Sequence, residues 1–161
     1  MLNYVWLIPA LPLAGFLVNL FLGARLPKKV VGWLASGVVG AAFLVAAACF
    51  SQLLNRGAED RIVVQTVWHW IAAGNFKVDV AFLMDPLSCV MALVVTGVGF
   101  LIHVYSTGYM EHDEGVKRYF LYLNLFTFSM LTLVLGSNFL VMFVGWEGVG
   151  LCSYLLIGFW Y

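Results

Sequence analysis

The carboxylate of Glu147 is the first candidate for chemistry because it stands alone within a long apolar run. It lies in NFLVMFVGWEGVGLCSYLLIGFWY, nine residues beyond Asn138, which is about 13 Å along a helix. The hydrocarbon core of a bilayer is about 30 Å thick, so a carboxylate here would sit near its middle, at a cost of about 2.5–3.5 kcal/mol or more. Loss of water favours the neutral acid, and a nearby cation favours the carboxylate. A cation that approaches the glutamate would therefore release its proton, and a cation that withdraws would allow a proton to bind again. Glu147 therefore predicts a proton relay. The alternative is a static ion pair with another helix.

Three glycines surround this glutamate, at positions 145, 148 and 150. A nucleotide-binding loop is excluded, because Gly145, Gly148 and Gly150 lack the G-x-G-x-x-G spacing and no strand precedes them. In a membrane helix, small residues allow a neighbouring helix to approach closely, or give the helix local freedom. We expect these glycines to have a packing role beside the relay.

His103 is the second titratable residue within an apolar run, in FLIHVYSTGYM. It lies eighteen residues after Asp85, about 27 Å along a helix, which would bring it close to the inner membrane interface. Histidine titrates near neutral pH, so His103 could pass protons to or from the helices. The alternative is an interfacial histidine with a hydrogen-bond partner.

Two charged residues at the ends of apolar runs have structural interpretations. Asp85 precedes Pro86, and an aspartate followed by proline is typical of a helix N-cap and first turn. A functional acid at Asp85 is the less favoured reading. Arg118 stands just before another apolar run and is expected to anchor that helix at the lipid headgroups.

Other chemical sites have little support in the sequence. The run Glu111-His112-Asp113-Glu114 contains one histidine among acids and is typical of a solvated charge cluster rather than a metal site. The three cysteines lie separately in apolar runs and form no C-x-x-C pair: Cys49, Cys89 and Cys152. There is no nucleophile–base constellation, no pair of catalytic carboxylates, and no quinone or flavin signature. We therefore expect no catalytic, cofactor or metal site on this chain.

The composition indicates what must position these residues. The 161 residues are 63% hydrophobic and only 10% charged, with a net charge of zero and a mean hydropathy of +0.99. Soluble domains are about 45–50% apolar and about 25% charged. A soluble enzyme, a disordered chain and a nucleic-acid binder are therefore excluded, and the composition predicts an all-α polytopic membrane protein.

A spanning helix needs about 20 mostly apolar residues, and five runs reach or approach that length. They lie at about 3–22, 30–54, 86–108, 119–136 and 139–161. Between the second and third, residues 62–83 read as a β-hairpin turning at Ala73-Gly74-Asn75. Alternation from Phe76 to Phe82 predicts one wet face, and the hairpin is expected to pack on the helix ends or on a neighbouring subunit. The whole chain, 1–161, is taken as the N-terminal portion of one transmembrane domain.

Basic residues in the short connections predict the orientation of the helices. The first and third connections hold five lysines and arginines, and the hairpin segment holds three. This difference places the N-terminus and the hairpin outside, and the first and third connections in the cytoplasm or matrix. In a bacterial inner membrane, the location expected for this chain, the outside is the periplasmic side. The absence of lysine and arginine before Arg25 indicates a retained first helix rather than a cleaved signal.

Four motifs resemble the antiporter-like membrane subunits of respiratory complex I, the NADH–quinone oxidoreductase. GWEGVGLCSYLLIGFWY (residues 145–161) resembles their fifth-helix motif. FLMDPLS (82–88), LIHVYSTGYM (101–110) and RYFLYLNLF (118–126) resemble the distal such subunit in the same order and spacing. The first two spans and the hairpin match mainly in layout.

This resemblance implies a proton-translocating subunit without a redox site of its own. Glu147 occupies the position of a glutamate essential in the family, which pairs with a lysine on a later, broken helix. His103 matches a third-helix histidine, and the hairpin joins similar elements along the outer face of the membrane arm. FMN, iron–sulfur clusters, NADH and quinone are expected on other subunits, and the expected partners are the adjacent antiporter-like subunit and the lipid bilayer.

Family members are about four times longer, with two inverted repeats and a lateral helix, so the chain is expected to be an N-terminal portion. The large subunit of Mrp-type sodium/proton antiporters shares many of these motifs and is the principal alternative. A short membrane protein that only scaffolds an assembly is a further one. Such a scaffold would tolerate Glu147→Gln without loss of transport.

Overall fold

The computed structural model describes residues 2–160, apart from the side chain of Ala58. It contains five long helices, with a two-stranded antiparallel hairpin between the second and the third, which confirms the predicted fold class. The elements are α1 (Leu7–Leu22), α2 (Lys28–Leu54), β1 (Val63–Ala73), β2 (Phe76–Met84), α3 (Pro86–Tyr109), α4 (Val116–Leu135) and α5 (Phe139–Ile157). All five helices are long and apolar enough to cross a membrane.

The outermost helices are shorter than their apolar runs. A short 3-10 turn, Leu2–Tyr4, precedes α1. At the other end α5 stops at Ile157, because the chain turns at Gly158 and buries Phe159 against Tyr119 of α4. The predicted span 139–161 is therefore too long as a helix, and Tyr161 lies outside the described residues.

Two side-chain caps fix where α3 and α5 begin. The Asp85 carboxylate accepts from the Ser88 backbone N–H at 2.7 Å, and the Ser88 hydroxyl accepts from the Asp85 backbone N–H at 2.8 Å. This reciprocal capping box, with Pro86 in the first turn, gives Asp85 the cap role expected for it. Asn138 likewise accepts from the backbone N–H of Val141, so α4 and α5 are joined by only three residues.

The hairpin marks one end of the helices, which we call the hairpin side. Ser137, in the α4–α5 turn, donates its backbone N–H to Ala81, and Asn138 donates its amide to the carbonyl of Asp79. Gln65 of β1 bonds the backbone of Asn3 and Trp6. The hairpin therefore packs on the helix ends, which is the first of the two expected arrangements.

The predicted one-faced alternation of β2 is wrong. Phe76 is 57% exposed, although it was expected on the dry face. Ala81 and Phe82 are consecutive, so their side chains point to opposite faces of the strand, yet both are buried. The pairing itself is irregular only in β1, where the shifts between Thr66 and Trp68 and between His69 and Ile71 each leave one residue unpaired. Helix-end contacts then cover both faces of the strand near its C-terminal end.

The opposite end, the loop side, carries the connections 23–27 and 110–115 and the segment 158–160. Lys28 donates to the carbonyl of Asp113 at 2.8 Å, and Lys117 donates to that of Ala24 at 3.1 Å. Between the two sides, α4 is the central helix and packs against α1, α2, α3 and α5. The substantial contacts of α5 are with α4 and β2 alone.

Candidate functional site

Glu147 lies in the middle of α5, eight residues after Phe139 and ten before Ile157. These separations correspond to about 12 Å and about 15 Å of helix. The side chain is exposed on the surface of the described helices rather than buried between them. Glu147 is therefore at mid-helix on an open face, and its depth near the middle of a bilayer stays a prediction.

Close packing of two glycines against α4 decides where Glu147 points. A Cβ on Gly145 would lie 2.7 Å from the Cα of Leu133, and a Cβ on Gly148 would lie 2.5 Å from the Ser129 hydroxyl. Successive helix residues are rotated by about 100°, so Glu147 is turned about 160° from Gly145 and about 100° from Gly148. The two glycines thus bring the helix backbones together and turn the carboxylate away from α4.

Gly150 differs from the other two glycines. Nothing lies within 4 Å of a Cβ placed there, so it makes no close helix contact among the described residues. Gly145 and Gly148 thus pack closely against α4, whereas the packing role expected for Gly150 stays a prediction. It shares the open face with Glu147, three residues away, and leaves a shallow site beside the carboxylate.

The open face of α5 is otherwise apolar. Its exposed side chains near Glu147 are Phe143, Val144, Leu151 and Tyr154. Within residues 2–160 the ion pairs are Lys29–Glu111 and His69–Asp79, and neither involves Glu147. An isolated carboxylate on an apolar helix face is an arrangement that can take up a proton or bind a cation supplied by another element.

His103 is buried between helices, with only 1% of its surface exposed. Its Nδ1 lies 2.7 Å from the carbonyl oxygen of Gly99, and its Nε2 lies 3.0 Å from Oδ1 of Asn124 on α4. It stands six residues before the end of α3, about 9 Å inside that end. The predicted hydrogen-bond partner exists, but the ring is enclosed rather than interfacial.

The structure does not bring His103 and Glu147 together. His103 packs on the side of α4 that faces α3, whereas Gly145 and Gly148 pack on the side of α4 that faces α5. The described residues therefore form no hydrogen-bonded path between them, and the two proposed relay residues belong to separate sites.

Two buried asparagines were not singled out from the sequence, and one of them, Asn124, bonds His103. Asn124 is fully buried on α4, and Asn19 is 5% exposed on α1. Each is a single amide within an apolar run, in RYFLYLNLF and LVNLFLG. That isolation was the available signal, and it is the same signal that identified Glu147.

The remaining charged candidates organise the loop side. The Asp113 carboxylate accepts from Trp160 Nε1 at 2.9 Å and from the Gly115 backbone N–H at 2.6 Å, and these bonds lower the pKa of Asp113 below its usual range. Because they stabilise the carboxylate, they persist at neutral pH and are lost only as pH falls through that lowered pKa. Arg118 donates to the carbonyl of Phe159 and lies 4.8 Å from its ring centre. Arg118 thus holds the C-terminal end of α5 in addition to its predicted headgroup role.

No metal centre is evident in the part of the chain that the structure describes. It contains no group of three His, Cys, Asp or Glu side chains that could hold an ion. Cys49, Cys89 and Cys152 are all buried in the helical interior.

Comparison with known proteins supports the resemblance drawn from the motifs. A family model described as the N-terminus of chain 5 of NADH-ubiquinone oxidoreductase (complex I) matches residues 70–120. NADH-quinone oxidoreductase subunit L of Mycobacterium tuberculosis (strain ATCC 25618 / H37Rv) is 48% identical over 99% of this chain, which covers 25% of that relative. Subunit L of Escherichia coli (strain K12) is 45% identical over 99% of this chain and 26% of the relative.

A solved structure also shares the fold. The Mrp complex from Dietzia sp. DQ12-45-1b contains a chain that matches with a TM-score of 0.75 and 27% identity, over 96% of this chain and 16% of that one. The chain thus spans about a quarter of the length of the curated relatives it matches. The resemblance to the N-terminal portion of subunit L is confirmed, and the chain is a multi-pass membrane protein.

Proposed function

We propose that this chain, similar along its length to the N-terminal quarter of subunit L, is part of a proton-translocating subunit of NADH-quinone oxidoreductase. Electron transfer would take place on other subunits, which would carry FMN, the iron–sulfur clusters and the NADH and quinone sites. This chain would respond through electrostatic or conformational coupling. The sequence identity over 99% of the chain supports this assignment.

The observation that carries the proposal is the placement of Glu147. Its carboxylate lies at mid-helix, on an exposed apolar face, without an ion-pair partner among residues 2–160. A charged group at that depth is costly unless it is protonated, paired or hydrated. A partner must therefore come from outside the described residues, and a lysine on a later helix is what the family resemblance implies.

A cation of that kind would be sufficient to control the proton. At about 4 Å and an effective dielectric constant of about 20, a unit charge stabilises a carboxylate by about 4 kcal/mol. That energy changes a protonation equilibrium by roughly a thousandfold. Approach of the cation would release the proton from Glu147, and its withdrawal would allow reprotonation. His103 would serve a separate proton site on the far side of α4.

The surroundings of this subunit follow from the same assignment. We infer a bacterial inner membrane, with the N-terminus and the hairpin on the periplasmic side, from the greater number of basic residues in the loop-side connections. The adjacent antiporter-like subunit would be a direct neighbour. The exposed outer half of the hairpin, including Trp68 and Phe76, offers it an apolar contact.

The test is Glu147→Gln in the complete subunit within its assembled complex. We expect the complex to assemble, by native mass spectrometry, and NADH-driven proton transport to fall at least tenfold, because the amide cannot exchange a proton. Glu114→Gln is the matched control, since Glu114 is an exposed carboxylate in the 110–115 connection. Full transport by the Glu147→Gln complex would refute the relay. Glu147→Asp, which keeps the carboxylate, should retain part of the activity.

A sodium/proton antiporter is the second candidate, favoured by the match to the Mrp complex. The two candidates differ in their assemblies. A purified complex that contains flavin and iron, and oxidises NADH without needing sodium, supports the respiratory assignment. An assembly of membrane subunits without flavin or iron, with sodium-dependent proton exchange, supports the antiporter.

A further inference from the structure

Two buried amides in the helix bundle have polar atoms without partners among the protein groups described. Both side-chain polar atoms of Asn19 and the Nδ2 of Asn124 are in this state. Leaving a buried donor or acceptor unsatisfied costs about 1–3 kcal/mol per group. By contrast, the buried hydroxyls of Thr96, Thr127 and Thr132 each bond a carbonyl of their own helix, so the two asparagines stand out.

Both amides lie beside the contact between α1 and α4. A Cβ on Gly15 would lie 2.6 Å from Nδ2 of Asn124, so the Asn124 amide rests on the α1 backbone where Gly15 leaves room. Asn19 is one turn further along the same face of α1, and side chains four residues apart have Cβ atoms about 5–6 Å apart. A buried water molecule makes about three hydrogen bonds to polar groups that otherwise lack partners, and these two amides together offer three such atoms.

His103 determines what the Asn124 amide can offer to α1. The carbonyl of Gly99 can only accept, so Nδ1 of His103 carries a proton. With Oδ1 of Asn124 beside it, Nε2 must carry a proton as well, which makes the ring an imidazolium. In a neutral ring Nε2 accepts, and the amide must turn by about 180° to present Nδ2. Asn124 then points Oδ1 towards α1 instead of Nδ2.

The Asn19 amide has both a donor and an acceptor, so it suits either orientation of the Asn124 amide. We propose that Asn19, Asn124 and His103 form one buried water-binding site, in which water between the two amides joins α1, α4 and α3. The orientation of the Asn124 amide in this site follows the proton on His103. The site does not depend on the role proposed for Glu147, which lies on the other side of α4.

The ionisable groups around the site lie towards the loop side. His103 itself contacts Gly99 of α3 and Asn124 and Phe120 of α4, and has no ion-pair partner among the described residues. Tyr119 of α4 bonds the Ser106 hydroxyl of α3. A hollow beyond Phe120 is lined by two cations and one anion, which are Lys28 and Lys29 of α2 and Glu111. Phe120, which contacts the His103 ring, also lines this hollow.

All three residues of the site lie within reach of the loop side. Asn19 is three residues from the end of α1, His103 is six from the end of α3, and Asn124 is eight from the start of α4. These positions correspond to depths of about 5–12 Å along the helices. The site therefore lies much closer to the loop side than to the hairpin side.

The direct test is an experimental density map of the complete assembly in lipid, at a resolution that shows ordered water. We expect density within hydrogen-bond distance of both the Asn19 and Asn124 amides, and its loss in Asn19→Leu. Thr96→Val, which removes a buried hydroxyl already satisfied within its own helix, should leave that density in place. A direct amide–amide bond between Asn19 and Asn124, or a gap without density, would overturn the proposal.

A double-mutant cycle provides an independent readout on the same assembly. Asn19→Leu and Asn124→Leu should each lower the thermal midpoint, on the order of 2–4 °C, because each leaves the other members of the site unsatisfied. The double variant should lose less than the sum of the two. If either single leucine variant raised the midpoint, the amides would be unsatisfied in the native protein, and the water site would be rejected.

Discussion

At the scale of single residues, the two candidate sites differ in how the fold treats an isolated polar group. Glu147 is exposed on an apolar face and has no ion-pair partner among residues 2–160. His103 and Asn124 are enclosed and bond each other. A carboxylate is too costly to enclose without a cation, whereas an imidazole and an amide can satisfy each other locally.

The glycines beside Glu147 provide a sharp prediction at this scale. We expect Gly145→Ala to destabilise the subunit, because the added Cβ would meet the backbone of Leu133, and a backbone cannot move without the whole of α4. Gly150→Ala is the matched control, because the added methyl group meets open space. Alanine also has a higher helix propensity than glycine, by about 1 kcal/mol, so this variant should not be destabilised. Thermal stability of the purified assembly measures both. Equal effects of the two substitutions would contradict the close α4–α5 contact.

At the scale of elements, helix starts are fixed by short-range hydrogen bonds and helix positions by packing. The Asp85–Ser88 capping box sets the start of α3, directly after β2. Asn138 sets the start of α5, and the three-residue turn before it is itself bonded to the hairpin. The hairpin thus connects the ends of several helices on one side of the bundle.

Substitution of Asp85 separates its structural role from a role as a functional acid. Asp85→Ala should cost about 1 kcal/mol and increase amide hydrogen exchange in the first turn of α3, because the cap is lost. Asp85→Asn keeps a cap oxygen and removes the charge, so it should retain both the exchange protection and proton transport. Loss of transport in Asp85→Asn, with protection intact, would assign the carboxylate to the proton path instead.

At the scale of the whole molecule, the five helices form a bundle centred on α4, with α5 at its edge. Among the described residues, α1, α2 and α3 do not cover the face of α5 that carries Glu147. The relatives are about four times longer than this chain. In the proposed function, the partner of Glu147 lies outside the described residues.

The orientation of the bundle can be tested in intact cells. Asn75→Cys in the hairpin turn should react with a membrane-impermeant maleimide from outside, because the hairpin is predicted to be periplasmic. His112→Cys, in the 110–115 connection, is the matched exposed position on the opposite side and should react only after the membrane is permeabilised. The reverse pattern would invert the predicted topology. The native cysteines are buried and should contribute little background.

The sequence by itself determined the features that depend on neighbouring residues along the chain. Five apolar runs gave the helices, Asp85-Pro86 and Asn138 gave two helix starts, and the distance from Asn138 gave the depth of Glu147. These features follow from hydropathy, capping and helix rise, which act over a few residues. The hairpin turn was predictable for the same reason.

Only the tertiary structure decided which groups meet. The open face of Glu147 results from Gly145 and Gly148 packing on α4, and the His103–Asn124 bond joins residues 21 positions apart. Gly15 leaves room for the Asn124 amide on α1, and contacts with the helix ends bury both Ala81 and Phe82. Each outcome depends on the rotation of one element against another. That rotation is set by the combined packing of many side chains along the contact, so no local pattern records it.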